Sequence, residues 1–193
     1  MANVDKAFGL RPYKGLNVGS AVQEANKYNI NPSGYGTSIF QGDLVIFNGG
    51  YIERAAASSA NIVGVFSHCY YVNSSGEPTF SNYYPASTTA LGSGDIECYI
   101  YDDPNQMFVV QADGASAVTC IGRNADTDGI GGSTTTGVST RELDSSTIAT
   151  TQGLQLKIVG VVQDDSNGDL TADNANLVVI INEHAYRGPV AGT

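Results

Sequence analysis

The stretch NIVGVFSHCYYV, Asn61–Val72, decides the fold. It is rich in β-branched and aromatic residues. It lies between two turn-prone segments, AAASSA (55–60) and NSSGEP (73–78), and therefore reads as a packed strand. The chain writes its centre a second time in KIVGVV (157–162), so that Ile62-Val63-Gly64-Val65 recurs as Ile158-Val159-Gly160-Val161. Four residues are too few to establish a duplication. In both copies apolar side chains fall on both faces, which predicts strands buried on both sides or near a subunit contact. Gly64 and Gly160 are each expected at a bend, a bulge or the close approach of another backbone.

Working outward, LVIF (44–47), the turn NGG (48–50) and YIER (51–54) make a hairpin. TFSNYYPASTTA (79–90) is aromatic, with Pro85 at a strand end or edge. DIECYIY (95–101) and QMFVVQA (106–112) are strands joined by DDPN (102–105), where proline fixes φ and Asx side chains cap the backbone. AVTCIG (117–122) and LVVIINEHAY (177–186) complete about eight expected strands. Residues 122–153 form a polar tract too long for a structureless loop. It should hold a short strand near GVSTREL (137–143) or act as a functional surface loop.

Helical periodicity is almost missing, so the fold class is all-β: a compact sandwich or barrel with long loops, as one unit or as two lobes at 28–90 and 91–193. Residues 1–27 read differently. Gly9, Pro12 and Gly15 predict extended chain, and SAVQEANKY (20–28) has the composition for one or two helical turns. This region is expected to be an N-terminal arm or peripheral segment before a β-rich body at 28–193.

The 193 residues suffice for one core, or for two small ones sharing an interface. Charged residues make up only 15 %, well below the usual quarter, and Gly numbers 23, which suits strands and turns. Net charge is −10. Residues 1–27 carry four basic and two acidic side chains, net +2, whereas 28–193 carry five basic and seventeen acidic, net −12. A nucleic-acid partner is not expected, because nine basic residues cannot build a basic face here. No apolar run approaches a membrane span. MANVDKAFGL lacks the apolar core of a secretory signal, so synthesis in a cytoplasm is expected. Cys69, Cys98 and Cys120 have no metal-type spacing and read as buried free thiols.

No catalytic motif stands out. GIGGST (129–134 region) is not followed by the Lys of a phosphate loop, and neither GxSxG nor HExxH occurs. The two histidines, His68 and His184, read as ordinary strand residues. NADTDG places Asn124, Asp126 and Asp128 at alternate positions before Gly129, as in the opening of a calcium loop. The closing position is Thr135 rather than Glu, so these three are weak metal candidates and no metal or cofactor is expected. Asn73 matches a glycosylation pattern that lacks a secretory context. Tyr70, Tyr71, Tyr83, Tyr84, Tyr99 and Tyr101 could form a sugar platform or fill a core or subunit contact. Neighbours on a strand point to opposite faces, so at most half of each adjacent pair shares a surface.

Nine segments occur in a telling order: MANVDKAFGLRPYK (1–14), GDLVIFNGGYIERAA (42–56), IVGVF (62–66), PASTTA (85–90), YDDPNQMFVVQADG (101–114), GRNAD (122–126), TTTGVSTRELDSST (134–147), LKIVGVV (156–162) and VVIINEHAY (178–186). Together they resemble a family of structural proteins of tailed bacteriophages, especially marine ones, taken to be head decoration or cement proteins. The resemblance implies a non-enzymatic virion protein. Such a protein is made in the host cytoplasm, lies on the outer capsid surface, bridges major capsid subunits and self-associates, with a trimer favoured. It implies no catalytic residues.

On that reading Phe8, Leu10, Arg11, Tyr13 and Lys14 of the arm are the capsid-contact candidates. The apolar side chains would anchor the arm, the cations would pair with acidic capsid groups, and the backbone could add a strand to a neighbouring sheet. The alternative for the arm is a disordered or self-packed terminus. The alternatives for the whole chain are another virion component, such as a head fibre base or tail protein, or a carbohydrate-binding β-sandwich.

Overall fold

A computed structural model describes residues 3–16, 24–162 and 166–187. Its strands are β1 (Arg11–Gly15), β2 (Asn26–Ile30), β3 (Ile39–Phe40), β4 (Leu44–Asn48), β5 (Tyr51–Arg54), β6 (Ile62–Val72), β7 (Pro78–Ser81), β8 (Tyr83–Tyr84), β9 (Ile96–Tyr101), β10 (Gln106–Gln111), β11 (Asn124–Ala125), β12 (Thr127–Asp128), β13 (Glu142–Leu143), β14 (Leu156–Val161) and β15 (Asn176–Ile181). The protein is all-β, and every pairing between these strands is antiparallel.

Two sheets dominate. One runs β2-β9-β6-β4-β5 with β7 also on β6, and the other runs β1-β10-β15-β14-β11. They share a core in which Leu44, Ile62 and Val65 of the first meet Phe108, Val110, Ile158, Leu177 and Val179 of the second. A second apolar cluster lies on the opposite face of the first sheet. There Val63, Phe66, Cys69, Ile96, Cys98 and Ile100 are covered by Ile39 and Tyr84 of the β3–β8 pair. Because β6 feeds both clusters, it is buried without a break from Ile62 to Ser67.

The two IVGV copies therefore sit in different sheets and differ in environment. β6 is covered on both faces as expected, but β14 is fully buried only at Leu156 and Ile158 and half-buried from Val159 to Val161, with Val159 packed on Met107, Val178 and Ile180, so full burial on both faces does not hold for the second copy. The glycines also part ways. A methyl group at Gly64 would collide with the Tyr101 carbonyl, whereas Gly160 has open space around it and sits where the β14–β15 register slips. Both glycines flank a register slip, Gly64 in the β4–β6 pairing and Gly160 in β14–β15, but only Gly64 also marks the close approach of another backbone.

The expected boundaries shift in three places. AVTCIG is not a strand: Val118–Cys120 forms a 3-10 turn. The division at residue 90 fails because β9 belongs to the first sheet, between β2 and β6. The described part of residues 1–27 does not stand apart from the body, since β1 forms an edge of the second sheet and β2, which begins at Asn26, an edge of the first. Within SAVQEANKY, residues 20–23 lie outside the described residues, and 26–28 are strand rather than helix. The short strand expected near GVSTREL is present as β13.

Candidate functional site

The N-terminal segment is extended, and it is sewn onto its own body. The Asn3 amide donates to the carbonyls of Asp169 and Asp173, both at 2.8 Å. Gln111 brackets the next residues, donating to the Val4 carbonyl and accepting from the Lys6 N–H. The segment then crosses between the sheets where Gly9 and Gly42 touch, with φ of +67° and +95°. A side chain at Gly9 would meet the Gly42 carbonyl at 2.8 Å, so only glycine fits. The Leu10 N–H donates to that carbonyl at 2.9 Å.

This strap sorts the five contact candidates. Leu10 is 1 % exposed inside the shared core, which removes it as a contact for another molecule. Phe8 is half-buried, with the Arg11 guanidinium 4.3 Å from its ring centroid. Tyr13 is 43 % exposed, and the Lys14 ammonium lies 5.3 Å from its ring. Two cation–π pairs thus ride on an edge strand. Phe8, Leu10, Arg11 and Pro12 also form one wall of a groove of about 290 Å³, closed by Gln41, Phe66, Tyr101 and Val138. Pro12 lacks an N–H and the β1–β10 register breaks at Tyr13, so the edge is blunted.

At the far end of β9 lies a second surface. Cross-strand partners share a face. His68 faces Tyr99, while Tyr70 faces both Phe80 and Glu97. These residues continue the inner face that Val65 and Tyr101 present to the second sheet, beyond where that sheet covers it. The His68 ring lies between Tyr99 (centroids 4.4 Å apart) and Phe80 (4.7 Å). Phe80 is 69 % exposed and Tyr70 37 %. A Lys27–Glu97 ion pair at 3.0 Å and a depression of about 240 Å³ lined by Tyr70, Leu91, Asp95 and Glu97 border this shelf. The adjacent tyrosines divide as pleating requires: Tyr71 and Tyr84 go into the core, while Tyr70 faces solvent and Tyr83 stacks on Phe40.

The polar tract is ordered from inside. Arg141 is fully buried, its Nη1 donating to Thr127 Oγ1 at 2.7 Å and its Nη2 to the Ala55 carbonyl. Its charge faces Asp43, which accepts from Ser139 Oγ at 2.6 Å and from the Phe40 N–H at 2.9 Å. Burial pushes the Asp43 carboxyl up and Arg141 down to about 10, with desolvation outweighing their mutual attraction. Gln155 extends the network by accepting from Thr127 and donating to the carbonyls of Ala56 and Ser59.

The calcium-loop residues do not converge on a site. The Asn124 amide donates to the Thr151 carbonyl, Asp126 accepts from the Gln155 N–H, and Asp128 accepts from the Gly129 N–H. Among the described residues, no three His, Cys, Asp or Glu side chains gather to hold a metal. His68 and His184 lie in different surroundings, the first in the aromatic stack and the second 2 % exposed with its Nδ1 accepting from the Tyr186 N–H. The three cysteines are buried free thiols, and burial pushes Cys69 up to about 12.

Sequence reasoning found the strap residues and left a self-packed terminus as the alternative to a free arm, but it missed His68, Phe80 and Glu97 as members of one face. The alternation His68-Cys69-Tyr70-Tyr71 was the available signal. Comparison of the chain with protein-family models, curated proteins and solved structures finds no match.

Proposed function

We propose that this chain is a non-enzymatic structural protein of a tailed-phage particle, decorating the outer capsid surface and bridging major capsid subunits. The ordered set of segments resembling phage head decoration proteins supports this reading. The observation that carries it structurally is the strap: Arg11, Tyr13 and Lys14 stand on an outer edge strand whose backbone is fixed to the body. On a chain of net charge −10 this edge concentrates cations beside aromatic rings, a surface suited to acidic groups on a neighbouring shell protein. Anchoring through Leu10 makes the contact pre-organised, so little chain entropy is lost on docking. Self-association as a trimer and synthesis in the host cytoplasm belong to the same reading.

Co-sedimentation with expanded and unexpanded shells tests it. The protein should pellet with expanded shells, and Arg11→Glu combined with Tyr13→Ala should abolish pelleting without changing the melting temperature. Full pelleting of that double variant would overturn the strap as the contact. Failure of the unaltered protein to bind any shell would overturn decoration itself, and electron cryo-microscopy placing it on the tail would favour another virion role.

A further inference from the structure

The aromatic shelf at the distal end of β6 is a feature the strap does not use. Glu97 on the shelf and Tyr101 at the strap groove are four residues apart on β9, about 13 Å. Three strands contribute: Phe80 from β7, His68 and Tyr70 from β6, and Tyr99 and Glu97 from β9. The rings are held in place, since His68 stacks on Tyr99, packs against the tilted ring of Phe80, and has its Nδ1 3.1 Å from Ser67 Oγ. The exposed rings, Phe80 and Tyr70, are thus held by packed neighbours or a strand backbone, and a pre-positioned aromatic surface loses little entropy when something lies on it.

The rim determines what that can be. Beside Tyr70 stand the carboxylates of Glu97 and Asp95, with the Lys27 ammonium 3.0 Å from Glu97. A dry protein partner would strip water from these three charges, and an exposed ion pair returns little for that. A sugar ring meets both halves of the surface. Its C–H face lies on an aromatic ring, and its hydroxyls donate to carboxylates and accept from an ammonium. Lys27 and Glu97 offset one another, leaving Asp95 on a chain already at −10, so an anionic sugar is disfavoured. We propose that the β7–β6–β9 shelf is a binding site for a neutral pyranose, seated on Tyr70 and Phe80 and hydrogen-bonded by Glu97 and Asp95. This assignment does not rest on shell decoration and would stand or fall without it.

The test uses the full chain and no shells. Glucose, galactose, mannose, N-acetylglucosamine and their short oligomers are titrated by calorimetry and by saturation-transfer NMR. At least one should bind saturably in the millimolar range, receiving saturation at its C–H protons. Tyr70→Ala and Phe80→Ala should each weaken binding about tenfold, roughly one aromatic contact. Glu97→Gln should weaken it while leaving the aromatic rings stacked, and Arg11→Glu should leave it unchanged. Tyr70→Leu keeps the bulk without the ring, and should lose binding even if the alanine variant folds poorly. Absence of saturable binding by any of these sugars overturns the proposal. So does binding that survives both ring substitutions, or a concentration-dependent dimer abolished by Tyr70→Ala, which would make the shelf a contact between copies.

Discussion

Asp43 and Arg141 face each other as a fully buried ion pair, Oδ1 to Nε 3.7 Å, at the junction of the first sheet and the polar tract. Neither charge meets water, so each depends on the other and on the hydroxyl and backbone groups around it. Arg141→Met should cost about 3–5 kcal/mol in urea unfolding, because it strands a buried carboxylate. Asp43→Leu combined with Arg141→Met should cost less than the two single changes added together, giving a favourable coupling in the double-mutant cycle.

The twin strands give opposite answers to one substitution. Gly64→Ala places a methyl against the Tyr101 carbonyl and should destabilise by about 1–3 kcal/mol, the usual cost of overpacking. Gly160→Ala meets no neighbour within 4 Å at a φ outside the left-handed region, and should be neutral or stabilising by about 0.4–1 kcal/mol. Thermal melts of the two variants, run side by side, check the contrast.

Leu10 links the strap to the core. Leu10→Ala should cost about 2–5 kcal/mol, as for other fully buried leucines. Deleting residues 1–15 should be worse, since it also removes β1 from the second sheet. Loss of shell binding after such a deletion would report unfolding. The exposed Arg11 and Tyr13 are the informative positions, and circular dichroism of each variant separates the two effects.

Stability should fall with mild acid through His184. Burial, with Arg187 nearby, lowers its pKa from 6.5 to about 4, against the weaker opposing pull of Asp102 and Asp103. Between those values the unfolded chain takes up a proton that the folded chain does not. Stability therefore drops as pH falls from about 6.5 to about 4, by on the order of 2 kcal/mol after allowing for solvent screening. Asp43, Asp126 and Glu142, raised by burial, act in the other direction as pH falls through their own range. His184→Gln should flatten the slope of the urea midpoint against pH across this window, and an unchanged slope would assign the acid sensitivity elsewhere.

The strands were legible because β-branched runs and Asn-Gly or Asp-Pro turns encode them locally, as in LVIF-NGG-YIER, which is β4 and β5. Sheet membership was not legible, because β9 joins β2 and β6 through contacts that no local pattern records. Nothing in the polar tract singles out Arg141, and only the fold brings Asp43, Thr127 and the Ala55 carbonyl around it. The cations of the strap were visible from composition. That Leu10 among them serves the core is a three-dimensional fact, since RPYKG reads equally well as a free arm or as a sheet edge.

The strap also sets a schedule for synthesis. Asn3 is fastened to the carbonyls of Asp169 and Asp173, 166 and 170 residues further along. β1 likewise waits for β10, and β10 for β15. The second sheet cannot close until β15 has been made, so its assembly is dominated by distant pairings and should be slow. Until then the nascent chain carries an open β edge, a hazard to be met by chaperones or by rapid release.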